Sequence, residues 1–369
     1  MRPHSVRPLL CLLLLLLLAF ALEAAAESRR LLYVAAPGIR NYLEYGGHGL
    51  LVFDVDQGFR FVKRIPTGGL DDDGKPRNVK GLCASALTGR IYISTTHTLQ
   101  CLDLRTEQLL WEKPYEDGCD RMALSPDGKW MYVPSFEKAQ WHVVDALAGD
   151  ILATVTPNSG AHNTLISLDG TRAFLAGLRS PLLSITDSAT HRITQAVGPF
   201  GAPVRPFTIN GRATLVFACV NELLGFEIGD VTSGKMLHRV VVEGFQKGPV
   251  KRHGCPSHGI ALTPDEREVW LADGANQRLH VFDVTVMPPK QVASIALRDQ
   301  PGWISFSLEG RRAYSSTGEV IDAASRRIIA TLTDEARQAV HSEKLLEIEL
   351  DQDGPVRAGN QFGVGQVRD

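Results

Sequence analysis

The chain has 369 residues, and its 39 basic and 41 acidic side chains leave a formal net charge of −2. That balance offers no basic field for a nucleic-acid partner, and a content of 44% hydrophobic and 22% charged residues excludes general disorder. The 34 glycines and 20 prolines suit many short strands and turns better than long helices.

Residues 1–26 read as a signal peptide. Arg2 and Arg7 give a positive start, Leu9 to Leu22 is an uncharged apolar run, and Ala24, Ala25 and Ala26 supply small residues for cleavage. The run is short for a bilayer span, and no later stretch is apolar enough for one. The expectation is an exported chain, periplasmic or secreted, with no stable membrane span after cleavage. The next segment offers three strand-like pieces, LLYVAA (31–36), GLLVFDV (49–55) and FRFVKRI (59–65), with no inner partner of their own.

From residue 79 a unit of about forty residues repeats. Its order is strand, turn, strand, polar loop, a third strand ending near an Asp, turn, and fourth strand. The clearest copy is DRMALSPDGKWMYVPSFEKAQWHVVDALAGDILATVTP (120–157), and others begin near 79, 163, 205, 259 and 303. The turn glycines Gly89, Gly128, Gly170 and Gly211 are spaced by 39, 42 and 41 residues. Four short strands per forty residues make one blade of a β-propeller. Six such units, the orphan strands at 31–65 and the strand KLLEIEL (344–350) predict an all-β, seven-bladed propeller. Its N- and C-terminal strands share one blade, which removes the exposed sheet edges. One domain is expected over 29–360, followed by a C-terminal tail at 361–369, and DEARQAV (334–340) could form a short helical turn.

Ser-Pro-Asp-Gly at 125–128 is followed by Tyr132-Val133 and by Val143-Val144-Asp145 in the third strand, and Thr-Pro-Asp-Glu at 263–266 is followed by VWLADGANQRLHVFDV. These units resemble YVTN-type, YncE-like propeller repeats over nearly all of the chain after the leader. The resemblance implies a propeller. It leaves function open, because similar propellers include exported binding proteins, lyases and lactonases.

Strand alternation puts two sets of loops on one face: those opening the inner strands and those joining second to third strands. The first set carries Arg77, Asn78, Lys80, Asp120, Arg121, His162, Asn163, Arg205, His253, Cys255, His258, Trp303 and His341; the second carries Arg40, Tyr42, Tyr45, His48, Glu222, Asp273 and Asn276. A ring of Lys80, Asp120, Arg121, His162, Asn163, Arg205, His258 and Trp303 is therefore expected around the channel mouth as a ligand site. Its cations favour an anionic group on a small molecule or protein partner. The expected function is non-catalytic binding there. The alternative is a lyase- or lactonase-like enzyme with a His base and an Arg for the oxyanion.

RHGCPSHG (252–259) brings His253, Cys255 and His258 within six residues, donors that Zn or Cu would accept. GDVTSGK (229–235) has phosphate-loop spacing but places Met236 where Ser or Thr should hold Mg²⁺, and it reads as a hairpin turn. Asp71 to Asp73, and Asp351 with Asp353, read as solvated turns. No Gly-x-Ser-x-Gly occurs. Beyond the leader the chain has five cysteines, none in a Cys-x-x-Cys pair, and Cys83, Cys101 and Cys219 read as small buried hydrophobes.

Overall fold

A computed structural model describes residues 28–368; the leader read at 1–26 lies outside the described residues. The strands form seven antiparallel sheets, the blades of a seven-bladed β-propeller. Blades 1 to 6 follow the chain, with inner strands at Val79–Ser85, Ala123–Leu124, Ala161–Ile166, Val204–Ile209, Ile260–Leu262 and Ile304–Phe306. Blade 7 joins both ends of the chain. Leu345–Leu350 is its inner strand and pairs with Arg29–Ala36, which continues through Gly49–Asp54 to Arg60–Ile65.

Side chains alternate along each strand, so every blade offers one set to the blade before it and one to the blade after it. In blade 3, Phe174 packs with Phe207 and Val216 of blade 4, while Ala173 and Leu175 pack with Tyr132 and Trp141 of blade 2. Seven apolar clusters result, one for each interface around the ring. The third strand ends in an aspartate in all seven blades: Asp103, Asp145, Asp187, Asp230, Asp283, Asp322 and Asp54. In each, the carboxylate accepts backbone N–H groups two or three residues on, which closes the hairpin to the outer strand.

Three details differ from the sequence reading. Residues 334–338 make a hydrogen-bonded turn within a Thr333–Ala339 bridge and no helical turn. Gly211 lies in the blade 4 turn, as read, but unlike Gly89, Gly128 and Gly170 it is not left-handed; Ala213 is, at φ 52°. Gly211 is required by close approach, because a Cβ there would lie 2.4 Å from the carbonyl oxygen of Val367.

Third, the chain beyond 350 returns into the ring. Pro355–Ala358 adds a fifth strand inside blade 7. Residues 361–365 are buried, where the sequence reading set the tail outside the propeller. The Gln361 side chain accepts from Leu82 N and donates to Met122 O, bridging blades 1 and 2. Gly363 O accepts from Leu262 N and Thr208 Oγ1, tying in blades 5 and 4.

The cysteines Cys83, Cys101, Cys119, Cys219 and Cys255 are unpaired. Cys83 and Cys101 flank Tyr92 on opposite neighbouring strands, too far apart to bridge. Cys101 and Cys219 are buried as expected, whereas Cys83 is only partly so. Burial pushes the Cys101 thiol up to about 11. The 229–235 string lies in the hairpin between Gly225–Asp230 and Lys235–Val241, which leaves no helix for a phosphate loop.

Candidate functional site

Inner strands carry three irregularities at the same end of the channel. The register slips between Val79 and Gly81, between Ala161 and Asn163, and between Val204 and Phe207. Lys80 and His162 are the extra residues of the first two bulges, and Arg205 falls in the third. A bulge breaks strict alternation and re-aims a side chain. Three of the eight predicted ring residues are thus placed by bulges, which strand pairing creates.

Around Asp120 the geometry is tight. His162 Nδ1 lies 2.6 Å from Asp120 Oδ2, Lys80 Nζ lies 3.4 Å from Oδ1, and the Arg121 backbone N–H donates to Oδ1 at 2.9 Å. Burial opposes the charge on Asp120, but Lys80, His162 and Arg121 outweigh it and hold the carboxyl below the usual range. Burial lowers His162, with Asp120 opposing. His162 is therefore a neutral imidazole near neutral pH, with Nδ1–H donating to Asp120 and a lone pair on Nε2.

Arg121 does not direct its guanidinium to Asp120. Its Nη2 donates to Glu343 Oε2 at 3.1 Å, and its guanidinium carbon lies 3.5 Å from the Trp303 ring centroid. Lys344 Nζ reaches the same Glu343 oxygen at 2.9 Å and donates to Gly38 O at 2.8 Å. Burial pushes the Lys344 ammonium down to about 7, with Glu343 opposing. Burial also works against ionisation of Glu343, yet Lys344, His253, His258 and Arg121 together outweigh it and keep the carboxyl well below its ordinary value. Sequence reasoning missed Glu343 and Lys344. The rule that found the others, residues opening an inner strand, holds here too, since both adjoin Leu345–Leu350.

His253 and His258 stack, with ring centroids 4.4 Å apart. Burial brings His253 to about 4 and His258 well below its ordinary value. The sequence suggested Cys255 as their companion. Instead, Cys255 Sγ contacts Ser257 O at 3.0 Å, and the third donor beside the histidines is Glu343 from blade 7. His162 is not in this group. Gly302 lets the cluster close up, because a Cβ there would meet His253 Nε2 at 2.1 Å and Glu343 Oε1 at 2.6 Å.

Two long loops roof the mouth. Arg40 Nη2 donates to Arg252 O, while Arg252 Nη2 donates to Tyr45 Oη at 2.6 Å and pairs with Asp299 at 2.7 Å. Tyr45 stacks on His341 at 4.4 Å. The 243–257 insertion passes over Arg205 at Gly254, where a Cβ would lie 2.2 Å from Arg205 Nη2. The floor is Trp303, whose indole N–H donates to Gln361 O of the tail at 2.6 Å.

Other rim residues do not converge here. His48 bonds Gly68 O, Glu222 pairs with Lys247, Tyr42 is exposed, and Arg77 reaches Leu70 O. Asp273 and Asn276 bond one another, with Asp273 also against His280.

Buried polar atoms without a hydrogen-bond partner gather at this mouth. They include Arg121 Nε and Nη1, His162 Nε2, both side-chain polar atoms of Asn163, His253 Nε2 and Glu343 Oε1. Such groups are rare in folded proteins, and a cluster of them is a place where water, an ion or a ligand supplies the partners. A cavity of about 890 Å³ opens at the other end of the channel, lined by turn residues such as Leu87, Leu168 and Leu308 and by the tail. Among the described residues lining it, none carries a buried polar atom without a partner, so the mouth is the better candidate.

No protein-family model and no curated protein matches the chain. Among solved structures it is similar to Kuenenia stuttgartiensis hydrazine synthase. The TM-score is 0.58 at 16% identity, over 77% of this chain and 87% of that one. The likeness extends to the fold alone and carries no chemistry across. Fold and comparison together define a seven-bladed β-propeller.

Proposed function

We propose that the protein is an exported propeller of the YVTN type that binds a small anionic ligand at the roofed channel mouth, between Lys80, Arg121, Asn163 and Arg205. The buried, unpartnered donors of Arg121 and Asn163 carry this reading. Arg205 adds to it: among the described residues its guanidinium pairs with no carboxylate and donates only to Asn221 Oδ1, at 2.6 Å. An oxyanion would satisfy these donors with charge-assisted hydrogen bonds. Export rests on the order of charged, apolar and small residues in 1–26.

The test is calorimetric titration of the purified protein with inorganic phosphate and with succinate. Arg205→Ala is expected to weaken binding at least tenfold at an unchanged melting temperature. Equal affinity in wild type and variant would place the site elsewhere.

The Asp120–His162 pair favours a second reading, a lyase- or lactonase-like enzyme. His162 Nε2 is the base, Asp120 fixes its tautomer, and Arg121 stabilises an oxyanion. A screen of lactones and uronate polysaccharides tests it, since turnover should vanish in His162→Gln.

A further inference from the structure

We propose that His253, His258 and Glu343 form a site for a first-row divalent metal ion, Zn²⁺ in the first instance. The inference stands on geometry that the anion reading does not use. The three donor atoms lie within 4.8 Å of one another, although Glu343 comes from blade 7 and the histidines from the segment leading into the inner strand of blade 5. His258 Nδ1 lies 3.0 Å from Gly302 O. A carbonyl can only accept, so Nδ1 carries the proton and Nε2 keeps its lone pair. This is the outer bond that commonly orients a metal-binding imidazole.

His253 Nδ1 lies 3.3 Å from Glu343 Oε1. The pair lacks hydrogen-bond geometry, and Oε1 has no other partner. Two ligands on one tetrahedral ion, with bonds of ~2.0–2.1 Å, are separated by about this distance. Two histidines and a glutamate are a known donor set for zinc with an open fourth position, and two histidines with one carboxylate also suit Fe(II).

The neighbouring cations bear on the occupant of that fourth position. Arg121 and Lys344 both engage Glu343 Oε2 and leave Oε1 to the metal. They nonetheless weaken the site's attraction for a dication. An anionic fourth ligand offsets this repulsion, and that step rests on the anion reading above. Metal and anion should then bind with positive coupling, each raising the affinity of the other by the same factor.

The experiment uses the full exported chain, stripped with a chelator and titrated with Zn²⁺ alone and then with Zn²⁺ in the presence of inorganic phosphate. One equivalent of zinc is expected at micromolar affinity or tighter, strengthened severalfold by phosphate. Glu343→Gln and His258→Ala should each lose at least 30-fold, whereas Cys255→Ser should bind as wild type. Because His258→Ala removes a buried ring, a second readout guards against misfolding. Co²⁺-loaded wild type should show visible d–d bands without thiolate charge transfer, and it should melt higher than the stripped protein. Absence of stoichiometric zinc in wild type overturns the metal site, as does unchanged affinity in Glu343→Gln. The two readings separate through Arg205→Ala, which should lose phosphate and keep zinc.

Discussion

His253 and His341 are both brought to about 4, mainly by burial, and both hold parts of the roof and mouth. A histidine whose folded pKa lies below its unfolded value of 6.5 stays neutral while the unfolded chain takes up a proton. Between pH 6.5 and 4 the unfolded state therefore binds more protons, and stability falls as pH is lowered through that window. Each fully buried histidine contributes a slope on the order of 1 kcal/mol per pH unit there. Chemical denaturation at pH 7, 6 and 5 should show progressive loss, and His253→Gln should flatten the curve. An unchanged slope in the variant would mean that His253 is protonated in the fold. At this scale the sequence placed Asp120, Arg121, His162 and Trp303 at the mouth because each opens an inner strand, although the same rule was not carried to Glu343 and Lys344. It was illegible where partners come from distant blades. Nothing in RHGCPSHG indicates that Glu343, rather than Cys255, completes the cluster, because only ring closure brings blade 7 beside that loop.

At the scale of elements, the repeat announced the four-stranded blades through their turns and aspartates, but the bulges and the returning tail left no periodic signal. Bulges depend on register between strands. The tail, GNQFGVGQV (359–367), is short and glycine-rich, as a segment threading between inner strands must be, since Gly363 and Gly365 would clash with Ala261 and Glu266 if they carried a Cβ. Its anchor is Gln361, 1% exposed, which satisfies the Leu82 N–H and the Met122 carbonyl. Gln361→Ala would strand both groups in the interior and should cost about 1–3 kcal/mol. Because Gln361 O also receives the Trp303 indole N–H, the loosened tail should disturb the floor of the mouth. Near-ultraviolet circular dichroism of the variant should then show a changed tryptophan signal. Wild-type stability and spectrum in Gln361→Ala would show the tail to be a passive filler.

For the whole molecule, closure is the decisive step. Each blade buries both faces only because it has two neighbours, so an open ring exposes two apolar faces at once. The lock is the pairing of Arg29–Ala36 with Leu345–Leu350, strands from opposite ends of the chain. Leu345, Leu346 and Ile348 are at most 2% exposed, and each contributes about 1.5–3 kcal/mol by burial. Deleting 341–369 removes these side chains, unpairs one edge of Arg29–Ala36, and takes Glu343 and Lys344 from the mouth. The summed loss is comparable with the ~5–15 kcal/mol by which a typical domain is stable. The truncated chain should therefore lose its cooperative melt and associate through the bared edge. Deleting only 355–369 should give an intermediate result: a folded ring, less stable because its fifth strand and channel filling are gone. Differential scanning calorimetry and light scattering on the two truncations give the ordering. If the 341–369 deletion melts cooperatively at the wild-type temperature, the seventh blade does not hold the ring, and its strands decorate a six-bladed core.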